Sequence, residues 1–334
     1  MTVALLLLLV LYSYSLFVKR DELAPFDLKH TLPLRGILAL LVILGHLDTV
    51  VSSQTKLLMP FHMATPAVAV FFFMSGYGLM LSYTKKGERY LNGFVTKSAI
   101  KLLIPLVITS CLYQFALYVK GDFDLNRMIE QYVDGSETAL VHSWYVYALF
   151  LFYILYYLVF QFVKKGKCLC MFGLMTIYYM ITRYCFDWDF FWWMTCMAFP
   201  MGLLYSQYEA KIKEYIKGRY WIAIPMLIGL LVVKFISGDY TLICAELPYI
   251  FLGPLVAVLM YKLPLPTESK ILNFFGTLSF EIYLTHGAFE QLLKNAFASP
   301  YLYILVVVAS TILTSWLLHN VYSKITSPLL AKVK

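Results

Sequence analysis

Residues 34–46 read Leu34-Arg-Gly-Ile-Leu-Ala-Leu-Leu-Val-Ile-Leu-Gly-His46, an apolar run with a guanidinium at one end and an imidazole at the other. Arg35 and His46 are about three helical turns apart, so on a helix both side chains share one face, roughly 16 Å apart along the axis. Ionisable groups at bilayer depth are costly and by default mark function. A charge at the mouth of a membrane helix with a histidine farther down the same stripe therefore reads as a reaction path.

The rest of the chain extends this reading. Of 334 residues 61% are hydrophobic and only 14% charged, and the mean hydropathy is +0.73. Soluble domains are nearer half apolar and a quarter charged, so this is an all-helical, polytopic membrane protein without a separate soluble domain. Apolar stretches long enough to cross a core about 30 Å thick fall at 2–18, 36–51, 64–83, 102–119, 143–163, 168–184, 191–207, 220–236, 241–261, 274–293 and 301–320. That pattern predicts eleven spans. With Arg183 and Lys234 assigned to the loops that their stretches lead into, alternate compartments hold 21 and 6 of the 27 Lys and Arg residues, the asymmetry that the positive-inside rule requires. The N-terminus is then outside and the C-terminus cytoplasmic. The net charge of +8 reflects loops facing an anionic leaflet and is no argument for nucleic acid. Lys19-Arg20 follow the first span with no basic residue before it, the reverse of a secretory signal, so 2–18 reads as a retained helix. The six cysteines show no metal or redox spacing, and no metal is expected.

Several segments could carry chemistry. A histidine at the depth of His46 is expected to stay neutral near pH 7 and accept a proton, as a general base must. In the third span Ser75-Gly76 and Gly78 offer a small-residue surface for close backbone approach. Phe94, Lys97, Lys101 and Pro105 share one helix face where the chain enters the membrane; two ammoniums there either grip phosphates or anchor the cytoplasmic end. The long external loop 120–142 ends in His142-Ser143-Trp144-Tyr145. In the tenth span Ser279, Tyr283, His286 and Glu290 share a stripe, Glu281 points the other way, and His286 lies about 18 Å in, close to the depth of His46.

Taken in order, Arg35-x10-His46, Phe71-Phe-Phe-Met-Ser-Gly76, Phe94-x2-Lys97-x3-Lys101-x3-Pro105, His142-Ser-Trp144-Tyr, Phe199-Pro-Met-Gly202 and Leu278-Ser-Phe-Glu-Ile-Tyr283-Leu-Thr-His286 resemble the integral-membrane acyltransferase family often called acyltransferase type 3. The resemblance spans roughly residues 33–320. It implies a ten-helix acyltransferase core over 31–334, with 1–30 as an extra N-terminal transmembrane helix and linker. It also implies a multi-pass protein of a bacterial cytoplasmic (inner) membrane. Members of the family move an acyl group, usually acetyl, from cytoplasmic acyl-CoA to a hydroxyl of an extracytoplasmic glycan or lipid-linked sugar. On that reading acyl-CoA is the co-substrate, His46 is catalytic, and Arg35, Lys97 and Lys101 face the CoA. Tyr283 and His286 stabilise the oxyanion or orient the acceptor, and His142, Trp144 and Glu290 stand where the acceptor enters. The chain departs from the family in having lysines at 97 and 101 where many relatives have arginine, and no glutamate in the residues after Trp144. These differences bear on the acceptor more than on the reaction. The competing expectation is a proton-coupled secondary transporter of a small anion or glycan precursor, with His46, His286 and Glu290 as relay. Such transporters commonly show paired Gly/Pro-broken helices, and Pro248 and Pro254 have no counterpart in the first half.

Overall fold

Glycines decide how closely apolar helices approach where lipid offers no hydrophobic drive between them. The computed structural model describes residues 1–18, 26–237 and 243–333, with the backbone alone at Ile243. Lys19 and Arg20 lie outside the described residues. Helix makes up 81% of the structure, with no strand among the described residues.

The helices are α1 (Thr2–Ser15), α2 (Leu28–Val51), α3 (Ala64–Lys86), α4 (Phe94–Lys120), α5 (Leu125–Asp134), α6 (Trp144–Phe162) and α7 (Lys167–Met180). The second half holds α8 (Ala198–Ile216), α9 (Ala223–Ser237), α10 (Leu247–Lys262), α11 (Lys270–Thr277), α12 (Ser279–Leu292) and α13 (Pro300–Lys332). Helix α3 is the central element, packed on α2, α8 and α10. It crosses α8 at a reciprocal glycine contact. A Cβ on Gly76 would strike the carbonyl of Phe199, and one on Gly202 would strike that of Phe73. Gly78, two residues on, has nothing within 4 Å. The predicted small-residue surface therefore divides into one packing position and one open position. Around this crossing Phe72, Phe73, Phe152, Tyr156, Phe160 and Phe199 are fully buried. Helix α2 leans on α11 through a second such pair, Gly36 against Leu272 and Gly276 against the carbonyl of Leu32.

Among the described residues eight helical segments are long and apolar enough to cross a membrane, which makes the chain a polytopic membrane protein. Three of the eleven predicted stretches take other forms. Helix α1 has 14 residues, about 21 Å, and is short for a bilayer core. It is nonetheless tied in, with the Tyr12 hydroxyl donating to the carbonyl of Leu255 at 2.6 Å. The stretch 191–207 begins its helix only at Ala198, after a 3-10 turn at Phe190–Trp192. Pro200 sits in the first turn, where its missing N–H costs nothing, and the polar Gln207-x-Glu209 lies farther along. The tenth span is interrupted for one residue at Leu278. The predicted loop 120–142 contains α5, capped by Asp124, whose side chain accepts from the Arg127 N–H at 3.1 Å. One side of α5 exposes Leu125, Ile129, Tyr132 and Val133, a pattern suited to lying at an interface.

The glycine crossing predicts a specific loss. Gly202→Ala forces α3 and α8 apart against a backbone carbonyl and lowers stability by ~1–3 kcal/mol, whereas Gly78→Ala leaves it unchanged. Thermal unfolding of the purified variants checks both, and equal melting temperatures would refute the packing account.

Candidate functional site

Three histidines from three separate segments meet. His46 comes from α2, His142 from the residue pair preceding α6, and His286 from the middle of α12. The rings of His46 and His142 stack with centroids 3.8 Å apart and planes at 23°. His286 lies 5.2 Å from His46 and 5.3 Å from His142. The equal depths read for His46 and His286 thus correspond to rings in one cluster. His142, expected where the acceptor enters, lies within the cluster itself.

Local structure explains how His142 gets there. Its backbone has φ +63°, a left-handed conformation uncommon outside glycine. Glu137 holds the turn, its Oε1 accepting from the main-chain N–H of His142 at 3.1 Å and of Thr138 at 3.0 Å. The Tyr283 hydroxyl donates to the His142 carbonyl. On α12, Gly287 leaves room, since a Cβ there would lie 2.8 Å from the Val141 carbonyl and 2.9 Å from the His142 ring. Nothing in the sequence alone singled out Glu137; its signal, a carboxylate five residues before a histidine in a loop, is too common to read.

Charge is unevenly distributed over the cluster. Glu290, one turn beyond His286 and 6% exposed, places Oε2 3.5 Å from His142 Nε2. Burial alone would pull the His142 pKa down, but contact with the Glu290 carboxylate, followed by the field of Glu137, outweighs it, and the net shift is upward. Burial also pushes the Glu137 carboxyl above its ordinary range. His286 Nδ1 lies 2.7 Å from the carbonyl of Tyr283. A carbonyl only accepts, so Nδ1 carries the hydrogen and Nε2 is left as the acceptor. His286 Nε2 is buried without a hydrogen-bond partner among the described residues, while His142 Nε2 and Glu290 Oε2 face each other at 3.5 Å. The ring of His46 makes no hydrogen bond among the described residues. On the opposite face of α12, Glu281 accepts from His319 Nδ1 at 2.9 Å and takes no part in the cluster.

Three histidine nitrogens within 4.8 Å of one another match the ligand count of a zinc site. The rings run nearly parallel, however, with pairwise angles of 23°, 34° and 12°. In-plane lone pairs on stacked rings point alongside one another instead of converging on a tetrahedral centre.

Two adjoining cavities lie at and beside Arg35. One, about 450 Å³, is lined by Arg35, Ser75, Gly78, Tyr145, Ser279 and Tyr283 among others. The second, about 390 Å³, carries Lys86, Arg89, Lys97 and Lys101. They share Leu79, Tyr90 and Tyr153 as a common wall, so the basic pocket opens beside the Arg35 cavity. That cavity in turn ends at Tyr283, whose ring is 5.6 Å from that of His286. Tyr283, His286, His46, His142 and Glu290 thus stand together, Arg35 lines the cavity that reaches Tyr283, and Lys97 and Lys101 line the adjoining pocket. Trp144 is not among them. It packs on Phe191, Trp192, Phe72 and Tyr145 and acts as a wedge behind the cluster.

Among known proteins, the family model described as an acyltransferase domain, acyltransferase 3, matches residues 34–320. No curated protein and no solved structure matches.

Removing one carboxylate tests the electrostatic account. Glu137→Gln withdraws negative charge from His142, whose imidazolium is then less favoured, so its titration moves to lower pH. Histidine-selective NMR of the labelled protein reads this directly; an unmoved or upward-moved His142 resonance would contradict the assignment.

Proposed function

Because the chain belongs to the acyltransferase 3 family, we propose that it moves an acyl group, acetyl in the simplest case, from cytoplasmic acyl-CoA to a hydroxyl of an extracytoplasmic glycan or lipid-linked sugar. The observation that carries this reading is the pair of adjoining cavities running from Lys97 and Lys101 past Arg35 to Tyr283, whose ring is 5.6 Å from that of His286. CoA is a polyanion that cannot cross a bilayer. Its phosphates dock on the basic pocket, where Lys86, Arg89, Lys97 and Lys101 supply charge-assisted hydrogen bonds. The neutral pantetheine arm lies along the Arg35 stripe, an axial run of roughly 16 Å, and delivers the thioester to the cluster.

The chemistry follows from the uneven charge. His46 has no carboxylate partner and accepts the proton of the incoming hydroxyl. The hydroxyl oxygen attacks the thioester carbonyl, and the oxyanion forms beside His142, whose protonated form Glu290 and Glu137 favour. Collapse breaks the C–S bond, and the proton held by His46 passes to the departing thiolate. The products are an ester and free CoA, with no redox change. Tyr283 commits its hydroxyl to the His142 carbonyl, so it positions that imidazole, and His286 presents Nε2 alongside. The basic residues Lys85, Lys86, Arg89, Lys97 and Lys101, gathered from the end of α3 to the apolar part of α4, support a cytoplasmic location for the Lys97 pocket.

Two variants separate the halves of this mechanism. His46→Ala abolishes acetyl transfer and CoA release while membrane insertion and acetyl-CoA binding persist. Lys97→Gln with Lys101→Gln raises the KM for acetyl-CoA about tenfold, the loss of one or two charge-assisted contacts, and leaves kcat close to the parent value. Thiol release from purified protein measures both. Wild-type turnover in His46→Ala would sink the assignment of the base, and failure of purified protein to bind acetyl-CoA would favour transport.

A further inference from the structure

Beyond His142, away from the Arg35 cavity, lies a third cavity of about 410 Å³ between α4, α5 and the segment leading to His142. We propose that it binds the acceptor, and that the acceptor is an uncharged or amine-bearing sugar ring, not an acidic one. The inference rests on the acyl-transfer reading above and deepens it.

Position along α12 gives the first argument. Ser279 and Tyr283 line the Arg35 cavity, while Gln291 lines this one. His286 and Glu290 fall between, so the two cavities approach the cluster from opposite ends of one helix. Glu137 makes the connection physical. It lines this cavity and, through its Oε1, holds the backbone of His142. A hydroxyl bound against Glu137 is therefore one residue contact from the imidazole cluster.

Chemistry gives the second argument. The wall presents Gln131, Gln291, Asp124, Glu137, Arg127 and the ring of Tyr113. Planar amides, carboxylates and a guanidinium are side chains that bond vicinal hydroxyls in pairs, and a tyrosine face can cover an apolar ring surface. The volume is in the range of small-ligand sites. Asp122 also borders the cavity but is neutralised by Lys120 at 2.8 Å. Of the remaining charges, two carboxylates face one guanidinium, so an anionic ring is repelled, and the polyanionic donor is kept to its own side. Helix α5 turns Arg127, Met128 and Gln131, together with its N-cap Asp124, toward the cavity. Its apolar face is exposed. An amphipathic helix so placed presents a water-borne ligand to a site at the membrane boundary.

Photolabelling tests the site without depending on turnover. Full-length protein in nanodiscs is irradiated with diazirine derivatives of methyl glucoside, glucosamine and glucuronate, labelled peptides are mapped, and acetyl-CoA binding is measured in the same samples. The expected result is labelling of residues 113–138 or the Gln291 peptide by the neutral and amino probes, competed by methyl glucoside and not by CoA. Gln131→Leu with Gln291→Leu, and Gln131→Leu alone, cut labelling about tenfold and about threefold, as the loss of hydrogen bonds requires, with acetyl-CoA binding as the control for folding. Labelling elsewhere, no labelling, insensitivity to these variants, or equal labelling by the glucuronate probe overturns the proposal. Absent acetyl-CoA binding with intact labelling would instead refute acyl transfer and leave the sugar site standing.

Discussion

Two imidazoles stacked 3.8 Å apart cannot both be charged without a large penalty. At an effective dielectric of about 20, two unit charges at that separation repel by ~4 kcal/mol. Without substrate the His46–His142 pair therefore carries at most one positive charge, and in the proposed reaction His46 takes up a further proton only as the compensating oxyanion forms beside the rings. Both carboxylates in reach, Glu290 through its side-chain contact and Glu137 through the turn it holds, stand on the His142 side. One ring is thereby matched to receiving a proton and its neighbour to presenting one. This asymmetry is the constraint to which the rest of the structure answers.

Holding the rings face to face requires that three chain segments meet without slack. Gly287 lets the His142 turn pack directly on α12, and Tyr283 and Glu137 pin the carbonyl and amide of the same residue from either side. The left-handed backbone of His142 persists only because these contacts over-determine it. Farther out, the glycine crossings of α3 with α8 and of α2 with α11 set the helix spacing that carries His46 and the cavity walls into place. An added methyl at any of these crossings displaces a backbone carbonyl, so an error in packing becomes an error in ring placement.

Much of this was legible in the sequence, for identifiable reasons. Arg35 and His46 are read correctly onto one stripe because a continuous apolar run fixes helical phase. The tenth-span stripe is read for the same reason, and its one-residue break at Leu278 leaves the phase of Tyr283, His286 and Glu290 undisturbed. What escaped depends on loops. Periodicity says nothing about residues 120–142, so helix α5, the Glu137 turn and the inward path of His142 have no sequence signal, and Trp144 is drawn into the site by adjacency although its ring packs elsewhere. Apolar length also overstates spans where a helix starts late, as at Ala198, or stops short, as in α1.

Lining charge extends the asymmetry of the ring pair to the whole reaction path. Lys86, Arg89, Lys97, Lys101 and Arg35 mark one approach, and Asp124 and Glu137, set against the single Arg127, mark the other. In the proposed reaction a polyanionic donor is drawn in along the first approach and turned back at the second, with Glu290 behind His142 adding to that barrier. A neutral hydroxyl carrier meets no such opposition from the far side. The two substrates then reach the same three rings without sharing a channel, so only the acyl group and a proton change hands across the cluster. A transporter needs one site to open alternately to both sides, whereas two chemically opposed approaches ending at a common centre suit transfer between bound partners.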